Sequence, residues 1–234
     1  MKLKNTLFWI LLLLAGNLAA EPVKEVRETD YFSKIDVSGG IELYLTQGNN
    51  QRIEIVADDD LIKNIITKTD GNTLTVRLRT NRVSIWKNKT LKVYITAPEI
   101  EEIKISGGAD LKCSELKCKS DFRLNVSSGA DAEFNQLIVA KNAQINTSSG
   151  SGSEIKELKA TSANLSSNSG SDIKASVLVS GNLKLDASSG ADISVRGEVG
   201  KVSASANSGA DINLNKLTYG SIDSNTNSGG NIRK

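Results

Sequence analysis

The sequence predicts an all-β protein: a β-solenoid wound as a single-stranded β-helix with rungs of about twenty residues, preceded by an N-terminal part of longer β-strands and hairpins. Three observations carry that expectation. A corner motif of the form Ser-Gly-small-acid recurs along the C-terminal half. Between corners the apolar residues fall on every second position, as in Leu183-Lys184-Leu185-Asp186-Ala187, which is the strand period. Aromatic residues make up only 4% of the chain and no proline follows Pro98. The core is therefore expected to consist of stacked aliphatic and small side chains rather than large rings.

Residues 1–20 read as a signal peptide. Lys2 and Lys4 supply the positive start, residues 7–15 an apolar run, and Leu18-Ala19-Ala20 small residues for cleavage before Glu21. The run is shorter than the ~20 apolar residues that span a bilayer, so no transmembrane segment is expected after cleavage. A retained N-terminal anchor is the alternative. A lipoprotein is disfavoured, because the first cysteine is Cys113. The protein is expected to be exported, to the periplasm, the outer-membrane surface or the exterior. Lys2 and Lys4 are the segment's only charges, so cleavage takes Lys+Arg from 29 to 27, level with 27 Asp+Glu. A nucleic-acid partner, which calls for a basic surplus, is not expected.

Residues 21–34 form a lead-in and residues 35–105 a β-rich capping half. Alternating strands are expected at 41–46, 52–56, 73–79 and 91–97. Gly48-Asn49-Asn50 and Asp70-Gly71-Asn72 are hairpin-type turn signals. Residues 58–66 fit one short helix, with Asp58 as N-cap and Leu61, Ile62, Ile65 and Ile66 on its apolar face. This half would close the first rung of the rod.

Residues 106–234 carry the repeats. Counting the Gly two places before each acid, the steps are 21, 23, 18, 20, 19 and 20 residues. The 23 and 18 compensate, so Ser151-Gly152 reads as a two-residue insertion in one corner. Corner glycines suit a positive φ, which costs a residue with a Cβ about 1–2 kcal/mol. Asn168, Asn207, Asn227, Ser127 and Ser188 precede the corners, and their stacked side chains are expected to form a rung-to-rung ladder. Chain chirality favours a right-handed winding. No cap follows Asn231-Ile232-Arg233-Lys234, so homo-oligomers through the solenoid ends are expected, with Arg233 and Lys234 as gatekeepers.

Three groups of residues are candidates for chemistry. The sequence has no His, which removes Ser–His and Cys–His nucleophile arrangements. Asp110, Asp131, Asp172, Asp192 and Asp211 occupy equivalent repeat positions, which argues for a repeated structural role, so no catalytic residue and no enzyme are expected. Together with Glu154 they would stack about 4.8 Å apart and repel by about 0.9 kcal/mol per pair in bulk water. Either the carboxylates splay into solvent and accept corner N–H bonds, or a cation such as Ca²⁺ neutralises the column. No other cofactor is expected. A second group lies between residues 71 and 98, which hold no acid: Arg77, Arg79, Arg82, Trp86, Lys87, Lys89, Lys92 and Tyr94. If the two strands there pair, Arg, Lys and Tyr gather on one face that suits an anionic polysaccharide or lipid headgroup. The plain alternative is a solvated strand face whose lysines prevent aggregation. The third group is Cys113 and Cys118, which either form a disulfide or stay as buried free thiols.

The opening Phe32-Ser33-Lys34-Ile35-Asp36-Val37-Ser38-Gly39-Gly40-Ile41, the hairpins after it and the repeated corners resemble the head-GIN-domain family over residues 31–230. Its members are mostly Bacteroidetes proteins described as putative autotransporter adhesins. The resemblance implies a β-helical extracytoplasmic protein and brings no catalytic or binding residue with it. An autotransporter needs a C-terminal membrane barrel, and no room for one follows residue 230, so self-secretion is not expected. The expected function is a non-catalytic secreted or cell-envelope adhesin, with a surface glycan or an envelope protein as partner. An envelope-stress or signalling module and a glycan-binding or glycan-cleaving β-helix are the alternatives.

Overall fold

The computed structural model describes residues 22–79 and 90–234; residues 1–21, which include the expected signal peptide, and residues 80–89 lie outside the described residues. The elements are β1 (Val23–Arg27), β2 (Lys34–Ser38), β3 (Glu42–Gln47), β4 (Arg52–Ala57), α1 (Asp59–Ile62), β5 (Ile65–Asp70), β6 (Thr73–Leu78), β7 (Leu91–Ala97), β8 (Glu102–Ser106) and β9 (Asp110–Cys118). Then follow β10 (Phe122–Ser127), β11 (Asp131–Ser148), β12 (Gly152–Asn168), β13 (Asp172–Ser188), β14 (Asp192–Asn207), β15 (Asp211–Asn227) and β16 (Asn231–Arg233). They stack as a β-solenoid of about seven turns.

The corners set the winding. At each repeat two successive residues adopt positive φ, Ser then Gly: Ser128 at 57° and Gly129 at 69°, through to Ser228 at 50° and Gly229 at 80°. In the first two corners the pair is Gly39-Gly40 and Gly107-Gly108. Serine thus occupies a left-handed position that glycine fills elsewhere. Corner Gly residues donate their N–H to the carbonyl of the Ser one rung on, Gly129 to Ser149 at 3.1 Å and Gly170 to Ser189 at 3.1 Å. The rung-to-rung ladder at the corner is therefore made by backbone, not by the Asn and Ser side chains expected to form it.

Between corners the long strands are divided into stretches by register shifts. Pairing of β13 with β14 is unbroken over 172–179 and again over 182–188, with a register shift between. A second irregularity falls between Ile155 and Leu158 in β12. Inward positions stack in register, so Leu124, Ile145, Leu165 and Leu185 form one aliphatic column, each of them fully buried. Phe122 and Phe134 meet edge-on at 6.2 Å and are the two large rings in this part of the core. A set of buried hydroxyls interrupts it: Thr147 Oγ1 donates to Ser167 Oγ at 2.9 Å, and Ser151 Oγ to the Val126 carbonyl at 2.9 Å.

The N-terminal half is built of the same rungs, threaded out of order. β2 and β3 form a rung that lies between β6/β7 on one side and β8/β9 on the other, all in parallel. The rod then ends in antiparallel strands: β5 on β6, β4 on β7 and β1 on β4. Antiparallel addition covers the outer edges of β6 and β7 and leaves β5 and β1 as the outermost strands.

Three local expectations are corrected. The helix spans only Asp59–Ile62, because the β-branched run from Ile65 pairs with β6 as a strand. Asp58 stands at its N-cap position but makes no side-chain cap; its Oδ1 accepts the Thr90 N–H at 3.3 Å instead. Gly48-Asn49-Asn50 does not close a hairpin, since β7 lies between β3 and β4. Ser151-Gly152 is no insertion: Gly150, at φ 66°, is the corner glycine, and Gly152 stands in register with Asp131 and Asp172. The Asp70-Gly71-Asn72 turn does join β5 to β6, with Asp70 opposite Thr73.

Candidate functional site

After every corner the chain enters a stretch whose alternate side chains point outward, and these align in columns down one side of the rod. The first column reads Glu42, Asp110, Asp131, Gly152, Asp172, Asp192, Asp211 and Asn231. The five aspartates expected to stack are in register. Glu154 is not among them: it pairs with Glu133 and Lys174, one outward place further on. The Asp131 carboxylate lies over the gap left by Gly152, where a Cβ would collide with its Oδ1. Corner N–H groups do not reach these carboxylates; the Asp192 N–H bonds the Ser171 carbonyl and the Asp211 N–H the Ala191 carbonyl, each at 3.0 Å.

The electrostatics of the column follow from its spacing. Partial burial, then the carboxylates of Asp172 and Asp211, push the Asp192 pKa up against the opposing pull of Arg233. Burial, then Asp131 and Glu42, do the same to Asp110. The C-terminal end is relieved, since Asp211 meets Arg233 at 3.5 Å and accepts from Asn231 Nδ2 at 2.8 Å. Carboxylates strung in a line do not converge on one point. Among the described residues no group of three or more His, Cys, Asp or Glu is placed to hold a metal ion.

The basic group splits. β6 and β7 do not pair with each other; β6 joins β2 and β5, whereas β7 joins β3 and β4. Arg77 and Arg79 are exposed on one side of the rod, and Lys92 and Tyr94 belong to another. Arg82, Trp86, Lys87 and Lys89 lie outside the described residues. Lys92 already faces Glu42 at 3.9 Å. Tyr94 stacks on Tyr44, centroids 4.9 Å apart and planes 16° from parallel. Lys112 covers the Tyr44 ring at 5.8 Å. Tyr44 donates to Glu42 Oε2 at 3.0 Å, and burial followed by that carboxylate raises its pKa. The Tyr44 faces are thus taken up by Tyr94 and Lys112, which removes that ring as a sugar-stacking surface.

Cys113 and Cys118 are free and buried, not a disulfide. They donate to the carbonyls of Glu115 and Ile100, at 3.5 and 3.4 Å. Burial pushes both thiols up to about 12.

A different cationic cluster appears further along the rod. Beside the third outward column, at the bend between the first and second stretches, the surface dips into a groove of about 330 Å³. Lys174, Arg196 and Lys216 line it, with Ser176, Ser194 and Asn213 between them. Arg196 stands in register with Ser176 and Lys216, and Lys174 with Ser194. Glu154 and Lys156 close one end, where Lys156 is already held by Glu133 at 2.6 Å and Asn135 at 2.9 Å. The sequence hid this cluster because its members follow their corner aspartates by two, four and five places. The register shift after Ser194 is what aligns Arg196 with Lys216.

Residues 31–233 match the model of the family described as "Putative auto-transporter adhesin, head GIN domain". Among solved structures, the chain is similar to a putative adhesin from Parabacteroides merdae, with 18% identity, TM-score 0.65, and 92% of this chain and 97% of that one covered. A putative adhesin from Parabacteroides distasonis gives 16% identity and TM-score 0.67, and one from Bacteroides fragilis 16% and 0.55, with the same coverage. At these identities the likeness establishes the fold. No curated protein matches the chain.

Proposed function

The chain belongs to the head GIN domain family, and from that premise we propose that it is an exported, non-catalytic protein of the cell surface that acts in adhesion. The observation that carries this reading is the side of the rod, where outward side chains repeat in register from rung to rung. A surface of that kind suits many weak contacts with a repetitive partner, whose summed avidity exceeds any single one. Backbone bonds above and below each rung keep it rigid, so little ordering entropy is lost on contact. The non-catalytic part is supported by the absence of His from the sequence and by acids that line up rather than converge. Burial also keeps both thiols in the unreactive protonated form.

Attachment tests the reading. Beads coated with the purified chain are expected to be retained saturably on bacterial or epithelial cell layers, well above beads coated with serum albumin. Retention at the albumin level on every surface would overturn it.

A further inference from the structure

We infer that the groove lined by Lys174, Arg196 and Lys216 is a contact site for an acidic polysaccharide, a polymer of carboxylated sugars laid along the rod axis. The inference rests on the adhesion reading above and names the chemistry of its partner.

The three cations carry the argument. Each is exposed, and among the described residues none of their side chains makes a hydrogen bond or an ion pair, although other cations of the rod do: Lys156 with Glu133, Lys159 with Glu157 and Lys184 with Asp186. They sit on three successive rungs, Arg196 and Lys216 in register and Lys174 one outward place to the side, so their charges advance along the axis at about the strand spacing of 4.8 Å per rung. That advance is close to the length of one pyranose residue in an extended glycan, so one chain presents a carboxylate to more than one cation. Ser176, Ser194 and Asn213 add hydroxyl and amide groups that suit sugar hydroxyls.

The acid column decides where such a chain lies. Asp172, Asp192 and Asp211 flank the groove on the far side of Lys174 and repel an anion from that edge. A polyanion is thereby confined to the bend, while a neutral glycan gains nothing from either stripe. A membrane is the weaker match, because insertion needs apolar side chains at the rim, and the exposed large apolar residue of this region, Leu178, is on the next stretch.

The test is calorimetric titration of the purified chain at low salt with sodium polygalacturonate. Dextran serves as the neutral control, inorganic phosphate as the free anion, and phosphatidylglycerol-containing vesicles as the lipid surface. Polygalacturonate is expected to bind, and K174A/R196A/K216A to weaken it about tenfold or more. Asp192→Asn should strengthen it, whereas R77A/R79A should leave it unchanged. The two opposite directions keep the test sound should the triple variant fold poorly. Wild-type affinity in a folded triple variant, or vesicles or phosphate binding as tightly as the polymer, would overturn the inference. Beads carrying the triple variant that attach as well as wild type would sink the groove and spare adhesion. Polygalacturonate binding without attachment to any cell layer would do the reverse.

Discussion

Asp192 shows how a repeated residue stores a cost. Its folded-state pKa is raised above the ordinary 3.8, by partial burial and then by Asp172 and Asp211, so the folded chain holds the proton more tightly than the unfolded one. The associated stability is fully present below the unfolded pKa and is lost as pH rises through the higher folded value. Asp192→Asn should therefore match wild type near pH 3 and become modestly more stable at pH 7 and low salt, by a gap that solvent screening of this exposed side chain keeps small. Added salt should shrink the gap, and denaturant melts across pH measure it. A variant less stable than wild type at pH 7 would mean that the carboxylate holds something the column alone does not explain. The thiols make a second test at this scale. Buried and pushed up to about 12, Cys113 and Cys118 should resist iodoacetamide at pH 8 and both alkylate once guanidinium unfolds the chain. Mass spectrometry showing a pair that only reductant opens would contradict free thiols.

Among the elements, one rung holds two glycines that should respond differently. Gly190 sits in a corner at φ 68° with open space around it, so Gly190→Ala meets only the left-handed penalty of about 1–2 kcal/mol. Gly197, at φ 116°, lies against the rung below, and a Cβ there would be driven into the Val177 carbonyl. Gly197→Ala should cost clearly more than Gly190→Ala in thermal melts, and equal losses would contradict the stacking at that bend. The corner was readable from sequence because its glycine repeats. The positive φ of its serine was not, because composition carries no mark of it; Ser189 stands at 55° in the stacked backbone. Counting from Gly152 places Glu154 in the acid column, and only the register between β11, β12 and β13 moves it one outward place along. The expected helix failed at Ile65 for a related reason: the same apolar residues fit both periods, and pairing with β6 decides.

At the scale of the whole molecule, the rod was legible and the groove proposed for binding was not. Twenty-residue spacing and period-two alternation are local in sequence, so they survive without any tertiary information. A site on a solenoid side is assembled from residues about twenty apart, and a shift of one residue in any rung changes its members. Reading the basic run of residues 71–98 as one surface assumed that sequence neighbours pair. In fact β7 joins β3 and β6 joins β2 across the threaded N-terminal rungs, which parts Arg77 from Lys92. The cations of the groove lie on β13, β14 and β15, and nothing short of the register brings them together.

The measurement that bears most directly on this account is attachment to a cell layer rich in acidic surface glycan, compared for beads carrying the wild-type chain and K174A/R196A/K216A over a salt series. The account predicts strong wild-type retention that falls with salt and is largely lost in the triple variant at every salt concentration. Wild-type retention no greater than that of albumin-coated beads would contradict it.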